Sequence, residues 1–282
     1  TGGMNAGAGC VSEQSEFIAF VQQDVVLSDH WLREVVNVAA VNPKIAAVSS
    51  NVYDEPKKAT LSQLRILYPS GHYYVPLNLV LGTSEVDFPT GEAFLVRKSV
   101  FRYLGGFDEE YFAYYDDGDL GWRARLADFR VVFNPAATLK HKRSSVFATR
   151  TLAYRVYLHE RNRILTCLKN LGSKSLLAFL PAEILLILFH MGRSLTNNDR
   201  DHASRAYARA LLYVAANLWK VRRKRRIVQK GRRCSDRYLF RSSMPGPVMN
   251  RPGLVIAYLP KYRAKELWYL AALHVISQVL PP

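Results

Sequence analysis

Phe17-Ile-Ala-Phe-Val-Gln-Gln-Asp24 is a short run of strand-forming apolar residues that ends in a polar tip. It predicts a buried strand that delivers Gln22, Gln23 and Asp24 to one edge of a sheet. Just downstream, Ser28 or Asp29 can cap a helix through about Val41, with Leu32, Val35, Val36 and Ala39 on one face. Pro43 follows, and residues 45–49 form a second apolar strand. Strand, helix and strand at this spacing make a βαβ unit, so the expected fold class is α/β, with a sheet layered against helices.

Working outward, the chain opens on Thr-Gly-Gly without an initiator Met. Because residues 16–22 already read as an interior strand, we expect the first strands of the domain to be missing and to belong upstream. Residues 52–86 are irregular and rich in Pro, Gly, Lys and Tyr, the signature of a long functional or disordered loop. Residues 92–97 read as a strand, and Ser99 caps a short helix that ends at Gly105-Gly106. Residues 116–127 are helical, with Leu120, Arg123, Ala124 and Ala127 at helical spacing; residues 130–133 form a strand closed by Asn134-Pro135. Residues 1–150 are therefore expected to be one α/β domain.

After about residue 151 helical patterns dominate, and residues 151–282 are expected to form a helical, basic, membrane-associated region. Residues 176–191 are strongly apolar, interrupted by Pro181 and Glu183. That length is marginal for a full span and an internal acid is costly, so a helix lying in the membrane interface stands beside a spanning one. A last apolar stretch covers residues 254–280.

Hydrophobic residues make up 49% and charged residues 22% of the 282, which excludes a disordered chain. The balance of 39 Lys and Arg against 23 Asp and Glu leaves a net charge of +16, a level that calls for a polyanionic neighbour. The excess is uneven: residues 220–237 hold ten Lys or Arg against one Asp. A nucleic-acid arm and an anionic lipid surface both fit this run, and its place after an apolar helix favours lipid, with no nucleic acid expected. Three dispersed cysteines, Cys10, Cys167 and Cys234, offer neither a disulfide framework nor metal-ligand spacing.

The densest chemistry is Tyr114-Tyr-Asp-Asp-Gly-Asp-Leu-Gly-Trp-Arg123. Three carboxylates within four residues at a helix N-terminus gain from the helix dipole. They also repel one another, which raises the proton affinity of at least one and makes a general base. An acidic capping turn is the plain reading of the same residues. The preceding Tyr111, Phe112, Tyr114 and Tyr115 suit a sugar pocket better than a solvated cap.

Four strings in order resemble family 2 glycosyltransferases, notably the subgroup similar to rhamnosyltransferases. They are Gly91-Glu-Ala-Phe-Leu-Val-Arg-Lys-Ser99, Leu104-Gly-Gly-Phe-Asp-Glu-Glu-Tyr-Phe112, Tyr115-Asp-Asp-Gly-Asp-Leu-Gly-Trp-Arg123 and His141. The family strings read roughly G-A-x-x-L-x-R-R, G-G-F-D-E-x-F and E-D-x-D-L-x-W-R, followed by a His beyond the next strand. The resemblance runs over about residues 3–170 and implies a GT-A type, Rossmann-like mixed sheet flanked by helices.

It further implies inversion at the anomeric carbon by direct displacement. The second acid of the E-D pair, here Asp117, would be the general base, and Asp116 stands where Glu is usual. Gly91, Glu92, Tyr115, Asp119, Trp122 and Arg123 would line the acceptor and sugar pocket. Asp24, the remaining carboxylate of a D-x-D motif that here reads Gln22-Gln23-Asp24, and His141 would hold a divalent cation, Mg²⁺ or Mn²⁺. Taken alone, Asp24 reads as a turn residue and His141 as part of a basic surface. Asn5, Gly7 and Gln23 match positions that meet the nucleotide sugar. Glu160-Arg-Asn-Arg163 matches a family string that begins the later helices, and we read it as a helical i,i+3 charge pair.

The implied activity is transfer of a sugar from a nucleotide-diphosphate sugar to a hydroxyl of a glycan or polyprenyl-diphosphate-linked acceptor. The setting would be bacterial surface polysaccharide synthesis at the cytoplasmic face of the inner membrane, against an anionic membrane surface. The rival expectation is a catalytically inactive basic protein, binding membrane or nucleic acid, on a transferase fold.

Overall fold

A computed structural model describes residues 1–54, 59–61, 66–67, 73–74, 82–142, 151–196 and 203–241. The apolar stretch 254–280 and most of the loop between residues 55 and 81 lie outside the described residues. The elements run α1 (Gly2–Gly9), β1 (Phe17–Val21), β2 (Val25–Leu27), α2 (Trp31–Val41), β3 (Ile45–Asp54), β4 (Ala59–Leu61), β5 (Ile66–Leu67), β6 (Tyr73–Tyr74), β7 (Ser84–Glu85), β8 (Ala93–Arg97), α3 (Lys98–Tyr103), α4 (Asp116–Leu126), β9 (Arg130–His141), α5 (Leu152–Asn170), α6 (Ser173–Thr196), α7 (Ala203–Ala216), α8 (Leu218–Gly231) and α9 (Asp236–Arg241). A turn of 3₁₀ helix covers Glu109–Tyr111.

A seven-stranded sheet runs in the order β1-β8-β3-β9-β2, with β4 against β3 and β7 against β9. Only the β3–β9 pair is parallel; the other pairs are antiparallel, so the sheet is mixed. The expected βαβ unit is present with β8 inserted between β1 and β3. Among the described residues β1 pairs with β8 alone, and it buries Ile18 and Phe20 on one face only.

Side chains alternate between two cores, as a pleated sheet requires. Along β8, Phe94 and Val96 join Ile18, Phe20, Phe101, Phe107 and Leu120, whereas Ala93 and Leu95 join Trp31, Val35 and Ala39 of α2. In β3 the alternation breaks: Ala46 and Ala47 both face the first core, at the register shift between Ile45 and Ala47. An extra residue at a bulge turns successive side chains to one face in this way.

A second irregularity matters more for function. Strand β9 was expected to close at Asn134-Pro135, but it continues to His141 after a register shift opposite Ser50 and Asn51. The backbone groups exposed by the kink are taken up by two amides. Asn134 Nδ2 donates to the Glu34 carbonyl (3.1 Å) while its Oδ1 accepts from Ala136 N–H (3.1 Å), and Asn51 Nδ2 donates to the Pro135 carbonyl (3.2 Å). A proline away from a strand's start or a sheet's edge is tolerated at such a bulge.

The later helices share a third core with α4. Phe88, Tyr111, Tyr115, Trp122 and Leu126 pack there with Ile164, Leu165, Leu171, Val214 and Val221. No described helix, α6 included, is long and apolar enough to cross a membrane.

Candidate active site

The polar tip of β1 is where the chemistry collects. Antiparallel pairing of β2 with the extension of β9 sets Val25 opposite His141, and Lys142 N–H donates to the Asp24 carbonyl (2.9 Å). This register brings His141 Nε2 to 3.2 Å from Asp24 Oδ2, with the two side chains 17% and 13% exposed. A carboxylate oxygen and an imidazole nitrogen at one point are donors that suit a divalent first-row cation. Among the described residues no group of three or more His, Cys, Asp or Glu comes together around a metal. The described residues offer two donors here, and water or ligand phosphate oxygens could add to the shell, as hard cations accept. Gln23 is exposed in the same turn.

Asp117 meets this tip from the other side. It sits in the first turn of α4, where its Oδ1 accepts from Gly118 N–H (2.8 Å). Its Oδ2 lies over Gly91: a Cβ at residue 91 would stand 3.1 Å from Asp117 Oδ2 and 3.9 Å from Gln22 Nε2. Gln22 N–H donates to the Glu92 carbonyl (2.9 Å), which fixes the β1 tip beside Gly91. One oxygen of Asp117 therefore accepts from the first turn of α4 and the other lies against Gly91.

Asp116 has a raised proton affinity, with burial the leading cause; the charge of Asp119 adds a smaller push. At Asp119 burial also pushes upward, but Arg123 and Lys169 outweigh it and hold the carboxyl well below the usual carboxylate range. Mutual repulsion is thus a secondary effect in this cluster.

Four residues assigned to a sugar pocket by resemblance face the protein interior instead. Asp119 accepts from Arg123 Nε (2.7 Å), Lys169 Nζ (2.8 Å) and Asn170 Nδ2 (2.9 Å) and is fully buried. Arg123 also donates to the carbonyls of Leu104 (2.8 Å) and Gly106 (2.9 Å). Trp122 is buried in the third core, and Tyr115 is buried with its ring edge-on to His159 at 4.9 Å. These groups build the floor under α4. None of the four is more than 7% exposed.

Asn5 is likewise occupied. Its Nδ2 donates to the Phe107 carbonyl (2.9 Å) and to Glu109 Oε1 (3.0 Å), and its Oδ1 accepts from Phe107 N–H (2.9 Å). Its amide ties α1 to the segment after Gly105 and Gly106, both at positive φ. Gly7 stands in α1 with open space where a Cβ would be.

Two features escaped the sequence reading. The first is a clamp on the loop that leads into α4. Phe112, Tyr114 and Tyr115 all have positive φ (61°, 66° and 66°), an uncommon state for bulky residues that costs about 1–3 kcal/mol each. Asn162 Nδ2 donates to the carbonyls of Tyr111 (3.0 Å), Ala113 (2.7 Å) and Tyr114 (2.8 Å), and Arg161 donates to those of Glu110 (2.9 Å) and Tyr111 (3.0 Å). The Glu160–Arg163 pair is present at 2.8 Å. The two residues between its members do the positioning, and an Arg-Asn step flanked by paired charges was the available signal.

The second is the inner face of α8. Lys224 pairs with Asp108 and Glu110, while Arg225 donates to the carbonyls of Leu168 and Leu171. Gln229 reaches the carbonyls of Lys169 and Asn170, and Arg232 also reaches that of Asn170. Cations and amides thus cap the C-terminus of α5, where the helix dipole is negative and carbonyls lack partners. Part of the basic run is structural.

A family model described as glycosyltransferase like family 2 matches residues 2–163. The chain is 42% identical over 59 residues to an N-acetylglucosaminyl-diphospho-decaprenol L-rhamnosyltransferase of Mycobacterium tuberculosis, covering 21% of this chain and 19% of that protein. It is 31% identical over 133 residues to a pre-mycofactocin glycosyltransferase of the same organism, covering 45% of this chain and 27% of that protein. The matched stretches thus span about a fifth to a quarter of those relatives. Among solved structures, GalNAc-T7 with UDP, GalNAc and Mn²⁺ superposes with a TM-score of 0.48 at 11% identity, over 76% of this chain and 43% of that one.

Proposed function

Because the chain belongs to the glycosyltransferase like family 2, we propose that it moves a sugar from a nucleotide-diphosphate sugar to an acceptor hydroxyl, with inversion, on a GT-A type sheet. The observation that carries this reading is that Asp117 Oδ2 lies against Gly91, whose neighbour Glu92 pairs with Gln22 at the tip of β1, two residues before the Asp24 that meets His141. Asp117 takes the proton of the acceptor hydroxyl, and that oxygen forms the new bond to the anomeric carbon from the face opposite the leaving group. The bond from that carbon to the diphosphate breaks, and its electron pair leaves with the nucleoside diphosphate. Asp24 and His141 would hold Mg²⁺ or Mn²⁺, which when bound offsets the charge growing on the departing diphosphate.

The relative named for rhamnosyl transfer acts, by its name, on N-acetylglucosaminyl-diphospho-decaprenol. We extend that acceptor class, a glycan or polyprenyl-diphosphate-linked hydroxyl of bacterial surface polysaccharide, to this chain. The test incubates the full-length protein with a panel of nucleotide-diphosphate sugars, a lipid-diphosphate acceptor and Mg²⁺ or Mn²⁺, and measures release of nucleoside diphosphate. Acceptor-dependent release that stops with chelator is expected. Absence of release with every donor overturns the reading.

A further inference from the structure

Helix α8 has two faces of different chemistry. Its inner face, Val221, Lys224, Arg225, Val228 and Gln229, is engaged with α5 and the loop before α4 as described above. Its outer face is made of Leu218, Trp219, Arg222, Arg223, Arg226, Ile227 and Lys230, all exposed, at the i, i+4, i+8 and i+12 spacing of one helical stripe. Among the described residues none of these four cations is paired with a carboxylate, and α8 contains no acidic residue at all.

Three large apolar side chains interrupt this cationic stripe. Trp219 is 64% and Ile227 68% exposed, and Leu218 stands beside them. Lys220 Nζ lies 5.7 Å from the Trp219 ring. A merely solvated basic face gains nothing from exposing an indole and two branched aliphatics, and it usually mixes both signs of charge. Nucleic acid would use the cations, yet Leu218 and Ile227 have no π-face to offer a base. A surface that takes both at once is the headgroup region of an anionic bilayer, where cations meet phosphates and apolar side chains enter the acyl boundary.

We infer that the outer face of α8 docks the protein flat onto an anionic lipid surface. The inference stands on this helix alone and needs neither the proposed reaction nor a spanning segment.

The test is co-sedimentation of the full chain with phosphatidylcholine vesicles, with and without phosphatidylglycerol, at low and high salt. Binding only to the anionic vesicles, weakened by salt, is expected. The combined substitution Arg222→Gln, Arg223→Gln, Arg226→Gln and Lys230→Gln should lower vesicle affinity by at least about a hundredfold, at about fivefold per cation removed. Trp219→Ser with Ile227→Ser keeps the charge and should still weaken binding about tenfold or more. Thermal melts of both variants should match the parent, because these side chains are exposed. Variants that fold and bind vesicles as the parent does overturn the inference. So does a parent that binds an RNA or duplex DNA oligonucleotide more tightly than anionic vesicles.

Discussion

The Cα of Gly91 leaves the Asp117 carboxylate its place: a methyl group at residue 91 would stand 3.1 Å from Asp117 Oδ2. That is closer than a carbon normally approaches an oxygen, so Gly91→Ala must move the carboxylate by a few tenths of an ångström. Gly91 does not carry a positive φ, so the backbone is not strained by the change. Small displacements of a reacting group cost far more in rate than in stability, up to about a hundredfold for an ångström. Gly91→Ala should lower kcat about tenfold while the melting temperature stays within a degree or two. An unchanged kcat removes Asp117 from the reaction centre.

Asp117→Asn keeps an oxygen that can accept from Gly118 N–H, so the start of α4 should survive. The amide cannot take a proton from the acceptor. Loss of a general base lowers rate by about 10²–10⁴-fold. We expect that loss in kcat, with donor KM within about threefold of the parent, measured by nucleoside diphosphate release. Asp116→Asn should not reproduce it.

The contrast between these neighbours shows what the sequence could and could not reveal. Periodicity disclosed β1 and α2, whose buried positions repeat, whereas β8 and α4 are buried along nearly their whole length and showed as an apolar run and as the helical spacing of Leu120, Ala124 and Ala127. It missed the second half of β9, because Asn134-Pro135 reads as a stop, and only the side chains of Asn134 and Asn51 make continuation affordable. That hidden extension is what carries His141 to Asp24. The acidic cluster was legible as a cluster, but the division of labour within it was not. Asp119 became an internal anchor through Lys169 and Asn170, fifty residues downstream, and no local signal reports a partner at that separation.

Asp119 offers a stability test with a definite sign. Its carboxylate is held ionised by Arg123 and Lys169, so its stabilisation is present above the usual carboxylate range and is lost as pH falls through its depressed folded value. Asp119→Asn leaves two buried cations facing a neutral amide, and breaking a buried pair typically costs about 3–5 kcal/mol. Urea unfolding at neutral pH should register that loss. The variant should also lose part of the acid-induced destabilisation that the parent shows. A loss below about 1 kcal/mol means the network does not anchor α4.

Asp116 works in the opposite direction. Burial raises its folded proton affinity, so its contribution favours the fold below the unfolded carboxylate value and declines as pH rises through the folded one. Asp116→Asn removes a charge that the folded state hosts poorly. The variant should melt at or above the parent temperature at pH 7 and at the parent temperature or below it at pH 4. Melting curves across that range decide it; a variant less stable at pH 7 than at pH 4, relative to the parent, reverses the sign.

Asn162 supplies the sharpest link between the later helices and the reaction centre. One side-chain amide holds three consecutive-turn carbonyls, at Tyr111, Ala113 and Tyr114, across a loop in which three aromatic residues keep positive φ. Without it the loop has reason to relax: the Tyr111 carbonyl keeps Arg161, but those of Ala113 and Tyr114 lose this donor, at about 1–3 kcal/mol each where buried. Asn162→Ala should therefore destabilise the protein by about 3 kcal/mol and lower kcat more than it changes donor KM, because relaxation shifts Tyr115 and with it the first turn of α4. Adding Phe112→Gly relieves the strain at φ 61° and should restore about 1 kcal/mol. It should not restore kcat, since the carbonyls that fix the loop geometry still lack Asn162. Recovery of both together in the double variant identifies the amide as a stability element only; recovery of stability alone identifies it as a positioning residue for Asp117.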